Sequence, residues 1–313
     1  MNNKIIIDTD PGIDDALALA CAFNAPEIDV IALTTIFGNA SVQQTTENAL
    51  RILEIFEQDI PVYSGAHRPL TMQAKEYPAF VHGENGLGNI PQPKAKKQAE
   101  AISAAQFIVN TTNQFPNEIT IIALGPLTNL ALALALDASI AQKIKRVITM
   151  GGNLHVAGNV SAAAEANVYC DPHAADQVYT AGWPVSVVGL DVTHQIRVKN
   201  SFFEKLEQKL PEKGKFLNVI TQFYMNFYQD SYIMEGCHVH DSSAIACAIH
   251  PEWFVMESGQ VRVICEGECM GKLMLHHDTG YTHRVNPWQN KPIIDVAVNV
   301  NVKAVKNWLE DLF

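Results

Sequence analysis

Long hydrophobic runs are absent from this 313-residue sequence, although 48% of its residues are hydrophobic. None of its apolar segments approaches the roughly 20 residues that a membrane-spanning helix needs. Residues Met1 to Lys4 lead directly into an isoleucine-rich strand, without the apolar region and cleavage site of a signal peptide. We therefore expect a cytoplasmic protein that has no membrane partner.

Basic clusters are also lacking. The chain has 22 Lys and Arg against 33 Asp and Glu, a net charge of −11, and no run rich in Lys or Arg. Nucleic acids and anionic membrane surfaces attract basic patches, so neither is expected as a partner. The six cysteines are scattered and do not suggest a disulfide framework, which agrees with a reducing cytoplasm.

The sequence does contain a regular alternation of short apolar runs with amphipathic stretches. Strands are predicted over residues 5–7, 30–36, 61–63, 119–124, 146–150 and 185–190, and helices over 16–23, 42–56, 101–112, 127–136 and 172–179. This alternation is typical of an α/β fold, with a mostly parallel, Rossmann-like central sheet flanked by helices. Beyond residue 191, additional helices are predicted at 202–206, 215–232, 242–248 and 303–312, and additional strands at 255–264, 270–275 and 293–300. We expect a single domain over residues 1–313.

Three polar segments, residues 66–99, 151–167 and 276–291, are predicted to be long loops. Long loops in a compact α/β domain are commonly functional or mobile. Ligands of such sheets bind outside the carboxyl ends of the strands. The residues that follow the predicted strands are therefore the candidates for a functional site.

Four carboxylates follow the first predicted strand within eight residues: Asp8, Asp10, Asp14 and Asp15. Like charges this close in a partly desolvated cleft repel one another, and a bound cation removes that cost. Ligands that are all oxygen suit Ca²⁺ or Mg²⁺ better than zinc. The alternative is that one aspartate caps the next helix and the others are solvated. Four acids at one strand end favour the metal site.

Neutral or singly charged polar side chains follow other predicted strands. The second strand ends near Asn39, and the fourth ends at Leu124, where a turn could expose a backbone carbonyl. Asn159, Glu165 and Asn167 lie in the loop after the fifth strand. Together these carboxylate and amide groups suit the hydroxyls of a sugar. Taken singly, each asparagine is more typical of a turn.

Two histidines and a stripe of tyrosines are further candidates. Asp241 is either the N-cap of a helix or a metal ligand, and in the functional interpretation His240 is an acid that acts on the substrate. His82 lies in a long loop and could be a surface histidine. Tyr224 and Tyr228 lie on one face of a predicted helix, which fits either a core stripe or the wall of a site for a nucleobase.

The ordered set of these motifs resembles the inosine–uridine-preferring nucleoside hydrolase family nearly from end to end. The most specific motif is the segment from Asp8 to Ala16, Asp-Thr-Asp-Pro-Gly-Ile-Asp-Asp-Ala. The other motifs, in family order, are Gly38-Asn39, His82-Gly83, Gly125-Pro126-Leu127-Thr128-Asn129, Met150-Gly151-Gly152, Ala164-Glu165-Ala166-Asn167, Asp171-Pro172, Gly189-Leu190-Asp191-Val192-Thr193 and His240-Asp241. The resemblance implies hydrolysis of the N-glycosidic bond of ribonucleosides, which yields ribose and a free nucleobase.

The resemblance also implies roles in catalysis. Asp10, Asp15 and Asp241 would bind Ca²⁺ through their carboxylates, and Leu124 would bind it through its backbone carbonyl. Asp10 would also be the general base for the attacking water, with Asn39 close to that water. Glycosidic cleavage passes through an oxocarbenium-like state, so the reaction needs a base for the water and a route for the leaving group.

For the substrate, the resemblance implies a set of ribose ligands. Asp14 and Asn167 would bind the 2′- and 3′-hydroxyls, and Asn159 and Glu165 would bind the 5′-hydroxyl. Members of the family form dimers and tetramers, so a homodimer or homotetramer is expected on the same ground. A role in nucleoside catabolism and in purine and pyrimidine salvage is implied as well.

At the base of the nucleoside, His240 would protonate the leaving group and His82 would lie beside it. Tyr224 and Tyr228 resemble members of broad specificity. The family usually has a large apolar residue between the glutamate and asparagine of its Ala-Glu-Phe-Asn motif, whereas this chain has Ala166. Preference for purines or pyrimidines is therefore not predicted.

Two other functions fit part of the pattern. A haloacid-dehalogenase-like phosphatase would use Asp8 as its nucleophile together with Asp10, but Pro11–Gly12 and the lack of a convincing downstream lysine disfavour it. A non-catalytic nucleoside-binding protein would keep the sugar ligands but need not keep both Asp10 and His240.

Overall fold

The computed structural model describes residues 3–277 and 284–313, and these residues contain eleven strands. The strands are β1 (Asn3–Thr9), β2 (Ile28–Thr35), β3 (Val62–Ser64), β4 (Ile119–Ala123), β5 (Arg146–Met150), β6 (Val185–Val188), β7 (Arg197–Val198), β8 (Cys237–His238), β9 (Phe254–Val263), β10 (Leu273–His276) and β11 (Ile293–Val300). Nine of them form one sheet in the order β10-β9-β11-β6-β5-β4-β1-β2-β3, and β7 pairs with β8 separately.

Twelve α-helices are found over the same residues. They are α1 (Ile13–Asn24), α2 (Val42–Ile55), α3 (Ala79–His82), α4 (Ala104–Gln114), α5 (Thr128–Leu136), α6 (Ala166–Cys170), α7 (Pro172–Tyr179), α8 (Leu190–Thr193), α9 (Asn200–Lys209), α10 (Pro211–Tyr232), α11 (Asp241–Ile249) and α12 (Val302–Asp311). Across the described parts of the chain, no helix combines the length and apolar character needed to cross a bilayer.

The main sheet is mostly parallel, as the alternating pattern predicted. All pairs from β3 through β2, β1, β4, β5 and β6 to β11 are parallel. Only β9 breaks this direction, since it pairs antiparallel with both β11 and β10. The additional C-terminal strands therefore extend one edge of the sheet.

Two hydrophobic cores lie on the two faces of the sheet. Side chains of a strand alternate between faces, and Ile5 and Ile7 of β1 belong to one core, whereas Ile6 belongs to the other. The first core receives α1, α2, α10 and α11, and the second receives α4, α5 and α7. Both faces of the parallel strands are thus buried, which explains why these strands are continuous apolar runs.

Short polar side chains begin several of the helices that cover the sheet. Ser41 Oγ accepts the Gln44 backbone N–H at the start of α2, and Ser103 Oγ accepts that of Gln106 at the start of α4. Each bond satisfies one of the backbone donors that a helix start leaves without an intrahelical partner. These caps place the helix starts beyond the strands that precede them.

The position of β1 creates the crevice that holds the site. The chain passes from β1 to β2 and β3 on one side, and then returns to β4, β5 and β6 on the other side. Such a topological switch point leaves a crevice at the carboxyl ends of the strands, where ligands of doubly wound sheets bind. The acidic motif follows β1 directly at this point.

The structure also contains short elements that no periodic pattern predicted. The loop at 66–99 contains α3, and residues 190–193, partly assigned to a strand, form α8. The helix α6 begins at Ala166, where the polar loop after β5 ends. Helices of four or five residues are too short to show a 3.6-residue repeat, which is why the sequence did not reveal them. Part of the predicted loop at 276–291, residues 278–283, lies outside the described residues.

Candidate active site

A cleft of about 390 Å³ opens at the carboxyl ends of β1, β4 and β5. This volume is typical of sites for small molecules. The predicted site residues in its lining are Asp14, Asn39, His82, Leu124, Asn159, Glu165, Asn167, Tyr224, Tyr228, His240 and Asp241. Asp10 and Asp15 are buried next to it and accept hydrogen bonds from Asn39. The structure therefore gathers the predicted site residues at one end of the sheet.

Three carboxylates from two helix starts converge at the base of the cleft. Asp14 and Asp15 lie in the first turn of α1, and Asp241 is the first residue of α11. One oxygen atom from each residue lies within 4.8 Å of the others. Helix N-termini favour negative charge, which helps to hold three carboxylates together. This spacing suits a metal ion, although the close group contains Asp14 where the sequence suggested Asp10.

Asp10 lies beside this group in a pocket formed by two glycines. Its Oδ2 accepts the Asn39 backbone N–H at 2.8 Å. A Cβ atom on Gly38 would come within 2.0 Å of Oδ2, and one on Gly125 would come within 2.5 Å of Oδ1. The Asp10 carboxylate therefore fits only because the chain carries glycine after both β2 and β4.

Buried carboxylate oxygens without hydrogen-bond partners indicate where a cation fits. Within residues 3–277 and 284–313, neither Asp10 Oδ1 nor Asp14 Oδ1 has a partner, although both atoms are buried. Buried acceptors of this kind are costly unless a ligand satisfies them. The Leu124 carbonyl, also in the cleft, accepts a hydrogen bond from Asn167 Nδ2 at 2.6 Å. Carboxylate and carbonyl oxygens are the ligands that a hard cation such as Ca²⁺ prefers.

Burial raises the pKa of every carboxyl group in this cluster. Desolvation raises the pKa of Asp14 to about 6, and desolvation with the neighbouring Asp14 charge raises that of Asp15 to about 6. Desolvation, and then the neighbouring carboxylates, raise the pKa values of Asp10 and Asp241 well above their usual range. The protein alone therefore retains protons here near neutral pH, because ionising all four groups is electrostatically costly.

Asp8, the first acid of the motif, differs from the other four carboxylates because its hydrogen bonds join it to strand β2 and helix α5. Its Oδ1 accepts hydrogen bonds from Thr34 Oγ1 at 2.6 Å and from Asn129 Nδ2 at 2.7 Å. Asn129 in turn donates to the Thr35 carbonyl at 3.0 Å and accepts the Ala66 N–H at 2.8 Å. Asp8 thus ties β1 to β2 and α5. A carboxylate that two core side chains hold in this way does not suit a phosphatase nucleophile.

The loop before α6 forms the polar wall of the cleft. Glu165 caps α6: its Oε1 accepts the Asn167 backbone N–H at 2.9 Å, and its Oε2 accepts the Gly152 N–H at 2.7 Å. Desolvation raises the pKa of Glu165 to about 7. Asn159 Oδ1 accepts the Ala166 N–H at 3.0 Å. These bonds hold carboxylate and amide groups beside the cleft, where hydroxyl groups of a ligand could reach them.

A chain of hydrogen bonds links Asp14 to His240 along the opposite wall. Tyr224 Oη donates to Asp14 Oδ2 at 3.2 Å, and the hydroxyls of Tyr224 and Tyr228 lie 3.3 Å apart. Tyr228 Oη lies 2.8 Å from His240 Nε2, and Thr193 Oγ1 lies 2.8 Å from His240 Nδ1. The tyrosine stripe of α10 is therefore both core and cleft wall, because its two tyrosines are buried and line the cleft.

The imidazoles of this wall are neutral near pH 7. Burial, and then the neighbouring His238, lower the pKa of His240 well below its usual value, and burial lowers that of His82 to about 4. His82 Nδ1 accepts the Ile13 N–H at 3.2 Å. Asp14 Oδ1 lies 3.8 Å from the same nitrogen, but a neutral ring with an acceptor Nδ1 forms no ion pair with it. His82 is thus a buried cleft residue rather than a surface histidine.

Three residues of this wall were not predicted from the sequence. Thr193 is the partner of His240 Nδ1, and His194 and His238 line the cleft with their ring centroids 4.8 Å apart. Thr193 belongs to the four-residue helix α8, and His238 belongs to the two-residue strand β8. Neither element is long enough to show a periodic pattern. The motif from Gly189 to Thr193 was the one signal in the sequence that pointed to this region.

The fold and the cleft together define a class of protein, an α/β enzyme whose small-molecule site and carboxylate cluster lie at the switch point of a parallel sheet. The family described as "Inosine-uridine preferring nucleoside hydrolase" matches residues 5–307. The chain belongs to this inosine-uridine preferring nucleoside hydrolase family and is a ribonucleoside hydrolase, an N-glycosidase. The family, the fold class and the activity predicted from the sequence are confirmed.

Relatives match nearly the whole chain. "Probable uridine nucleosidase 1" of Oryza sativa subsp. japonica is 41% identical over 313 residues, which are 99% of this chain and 96% of that protein. "Non-specific ribonucleoside hydrolase RihC" of Salmonella agona is 36% identical over 99% of this chain and 97% of its own length. The solved structure of the plant nucleoside hydrolase PpNRh1 superposes with a TM-score of 0.96 at 38% identity, covering 100% of this chain and 99% of that one.

Proposed function

We propose that this enzyme hydrolyses uridine and related ribonucleosides with a calcium ion bound at the base of the cleft. Asp10, Asp15 and Asp241 would hold the ion through their carboxylates, and Leu124 would hold it through its carbonyl. The observation that carries the proposal is the buried carboxylate cluster, where Asp10 Oδ1 and Asp14 Oδ1 lack partners among the residues described. A bound calcium ion supplies positive charge that lowers the pKa of a water molecule and binds the ribose diol.

Asp10 takes a proton from the attacking water in this proposal. Its glycine pocket leaves the carboxylate no room to turn away, and the Asn39 N–H holds one of its two oxygens. The Asn39 side chain donates to the Asp10 carbonyl at 3.2 Å and to Asp15 Oδ2 at 3.0 Å, so it joins the two acids. Over one turnover, water gives its hydroxyl to C1′ and a proton to the departing base, and protein groups carry this proton.

The polar wall and Asp14 bind the ribose. Asp14 and Asn167 bind the 2′- and 3′-hydroxyls, and Asn159 and Glu165 bind the 5′-hydroxyl. Support for these roles comes from their common place in the cleft lining. Carboxylates close to the sugar also stabilise the positive charge that develops on the ring as the glycosidic bond breaks.

The tyrosine and histidine wall acts on the departing base. His240 is the acid in this proposal, and it acts through the Tyr228 hydroxyl, which lies 2.8 Å from Nε2. Tyr224 and His82 lie beside the base, with their ring centroids 5.4 Å apart and their planes inclined by 27°. Aromatic faces accept any nucleobase, so we expect turnover of both uridine and inosine. Two relatives, one described as a probable uridine nucleosidase and one as non-specific, support uridine as the first substrate to test.

The cellular setting is proposed on the resemblance to the family. The enzyme would act in the cytoplasm, in nucleoside catabolism and in purine and pyrimidine salvage, as a homodimer or homotetramer of single-domain subunits spanning residues 1–313. The two main cores support one folding unit, since strand β1 contributes to both of them. Light scattering coupled to size-exclusion chromatography would measure the mass of the assembly directly.

The direct test of the activity is incubation of the purified protein with uridine and inosine, with calcium and then with a chelator. We expect release of ribose and free base with calcium, loss of release after chelation, and recovery when calcium is added back. Adding magnesium instead of calcium tests the choice of metal. Turnover that persists fully in the chelator would contradict the metal site.

The same assay separates the two other functions. Release of phosphate from sugar phosphates, without release of base from nucleosides, would support a phosphatase. Binding of uridine without turnover would support a nucleoside-binding protein. Both results would contradict the hydrolase mechanism.

A further inference from the structure

His240 has a hydroxyl group at each of its two ring nitrogens. Thr193 Oγ1 lies 2.8 Å from Nδ1, and Tyr228 Oη lies 2.8 Å from Nε2. All three side chains are buried. Thr193 ends α8, Tyr228 lies on α10, and His240 precedes α11. Side chains from two other elements, α8 and α10, therefore hold the ring at its two nitrogens.

The hydrogen bond to the carboxylate at the far end of the chain has a defined direction. The Tyr224 hydroxyl donates to Asp14 Oδ2 at 3.2 Å. The donor is open in the next two contacts, and a continuous chain forms when Tyr228 donates to Tyr224 and His240 Nε2–H donates to Tyr228. A neutral imidazole carries a single N–H, so Nδ1 is left as an acceptor. The donor that faces this nitrogen is the Thr193 hydroxyl.

Within the described residues, the Thr193 hydroxyl, like those of Thr34 and Thr128, bonds a side chain and no backbone carbonyl. Thr221 Oγ1 donates to the Leu217 carbonyl of its own helix at 2.6 Å, which is a common arrangement. Over residues 3–277 and 284–313, the Thr193 hydroxyl has His240 Nδ1 as its one hydrogen-bond partner. Its proton is therefore not committed to a backbone carbonyl and is available to the ring.

We propose that Thr193 is a positioning residue that holds His240 in the Nε2–H tautomer by donating its hydroxyl proton to Nδ1. The inference rests on the proposed function, because it concerns how His240 serves the departing base. In this tautomer the ring N–H supports the Tyr228 hydroxyl, whose own proton can turn from Tyr224 to the base. Without the Thr193 hydroxyl, the ring can carry its proton on Nδ1, and Nε2 then takes the Tyr228 proton for itself.

The kinetic test compares a natural nucleoside with an activated riboside in the calcium-loaded enzyme. In Thr193→Val, we expect kcat for uridine to fall about tenfold or more with little change in KM, which corresponds to loss of one hydrogen bond in the transition state. A riboside with 4-nitrophenolate as its leaving group needs no help to depart, so its turnover should change less than about threefold. Thr193→Ser keeps the hydroxyl and should restore turnover of uridine.

Thr112→Val is the matched control. Thr112 is fully buried in α4, away from the cleft, and its Oγ1 has no partner within the described part of the chain. The substitution removes one buried hydroxyl, as Thr193→Val does, but touches no residue of the site. Its kinetics on both substrates should equal those of the unmodified enzyme.

The tautomer itself can be observed by NMR with ¹⁵N-labelled histidine. The His240 signals are assigned by their loss in His240→Gln, and the Nδ1 and Nε2 shifts then report which nitrogen carries the proton. We expect the Nε2–H tautomer in the unmodified enzyme and in Thr193→Ser, and a mixture or the Nδ1–H tautomer in Thr193→Val. An Nδ1–H tautomer in the unmodified enzyme overturns the proposal even if Thr193→Val does not fold.

The outcomes also separate this inference from the proposed function. Equal losses on uridine and on the activated riboside in Thr193→Val would mean that Thr193 supports the structure and not the tautomer. If the unmodified enzyme needs no calcium to hydrolyse uridine, the metal site is wrong, but the NMR measurement still decides the role of Thr193.

Discussion

The base of the cleft, with its cluster of buried aspartates, and the tyrosine and histidine wall are built in opposite ways. At the base, the buried acids crowd together, and neither Asp10 Oδ1 nor Asp14 Oδ1 finds a partner in the described residues. At the wall, the hydroxyls of Tyr224 and Tyr228 and both ring nitrogens of His240 have hydrogen-bond partners. The base needs a cation to complete it, whereas Tyr224, Tyr228 and His240 are already paired within the protein.

This difference separates two kinds of effect. A change at the base should alter both calcium binding and turnover, because the same oxygens serve both. A change in the wall should alter turnover and leave calcium binding intact, because the wall holds neutral groups. Measurements of turnover and of calcium-dependent stability on the same variants therefore test whether the base and the wall act separately.

Asp10→Ala should have the largest effect. It removes a carboxylate that the proposal uses both as a metal ligand and as the base for the water, so turnover of uridine should fall by about a thousandfold or more. The rise in melting temperature on adding calcium should shrink as well. Both are measured by an assay for released ribose and by thermal unfolding with and without calcium.

Asp59→Ala is the control for this variant, because Asp59 is an exposed acid that forms a surface ion pair with Lys97. Its turnover should remain unchanged, since exposed ion pairs contribute little. Cleavage of uridine by Asp10→Ala at the original rate would show that the assignment of the base is wrong.

Tyr228→Phe should have a smaller effect, confined to turnover. It removes the hydroxyl between His240 and the cleft, so kcat for uridine should fall by about ten- to a hundredfold. The melting-temperature rise with calcium should match that of the original enzyme. Tyr63→Phe, on strand β3 and outside the cleft lining, is the matched control. A lost calcium response in Tyr228→Phe would break the proposed separation of base and wall.

Calcium should stabilise the protein more as the pH rises. Burial raises the pKa of Asp14 and Asp15 to about 6 and raises those of Asp10 and Asp241 well above their usual range, so at low pH calcium must displace protons. At about pH 8 the acids tend to ionise and repel, and calcium relieves that repulsion. The calcium-induced rise in melting temperature should therefore be larger at about pH 8 than at about pH 5. An equal rise at both would argue against Asp10, Asp15 and Asp241 as ligands.

The base of the cleft could be predicted from the sequence because most of it is local. Asp10, Asp14 and Asp15 fall in one short motif after a strand that three consecutive isoleucines make obvious. The rule for strand ends then places this motif in the crevice. What the motif did not show is which carboxylates approach one another most closely, since this depends on where Asp241 of α11 meets the first turn of α1.

The wall was harder to predict because its parts come from distant segments. The four-residue spacing of Tyr224 and Tyr228 predicted a helix face, but not that their hydroxyls connect Asp14 to His240. Thr193 gave no signal of its own, since α8 is a single short turn after β6. Such contacts depend on how α8, α10 and α11 pack together, and no periodic pattern encodes that packing.

Asp8→Asn should have the smallest effect on turnover, since Asp8 belongs to the same motif as the base but bonds Thr34 and Asn129 of the core. The asparagine carbonyl can still accept the bonds from Thr34 and Asn129, so kcat should change less than about threefold. The chelated protein tests its stability without interference from the metal.

Desolvation raises the pKa of Asp8 to about 7, against 3.8 for the free group. Between these values the folded protein binds a proton that the unfolded chain has lost, so this group lowers stability progressively as the pH rises towards 7. Asparagine does not titrate, so the stability of Asp8→Asn relative to the original protein should increase from about pH 5 to about pH 8, by on the order of 3 kcal/mol. Any cost of burying the new amide is the same at both pH values and cancels in this difference. If the relative stability of Asp8→Asn does not change with pH, Asp8 is ionised in the folded protein, and burial does not raise its pKa to about 7.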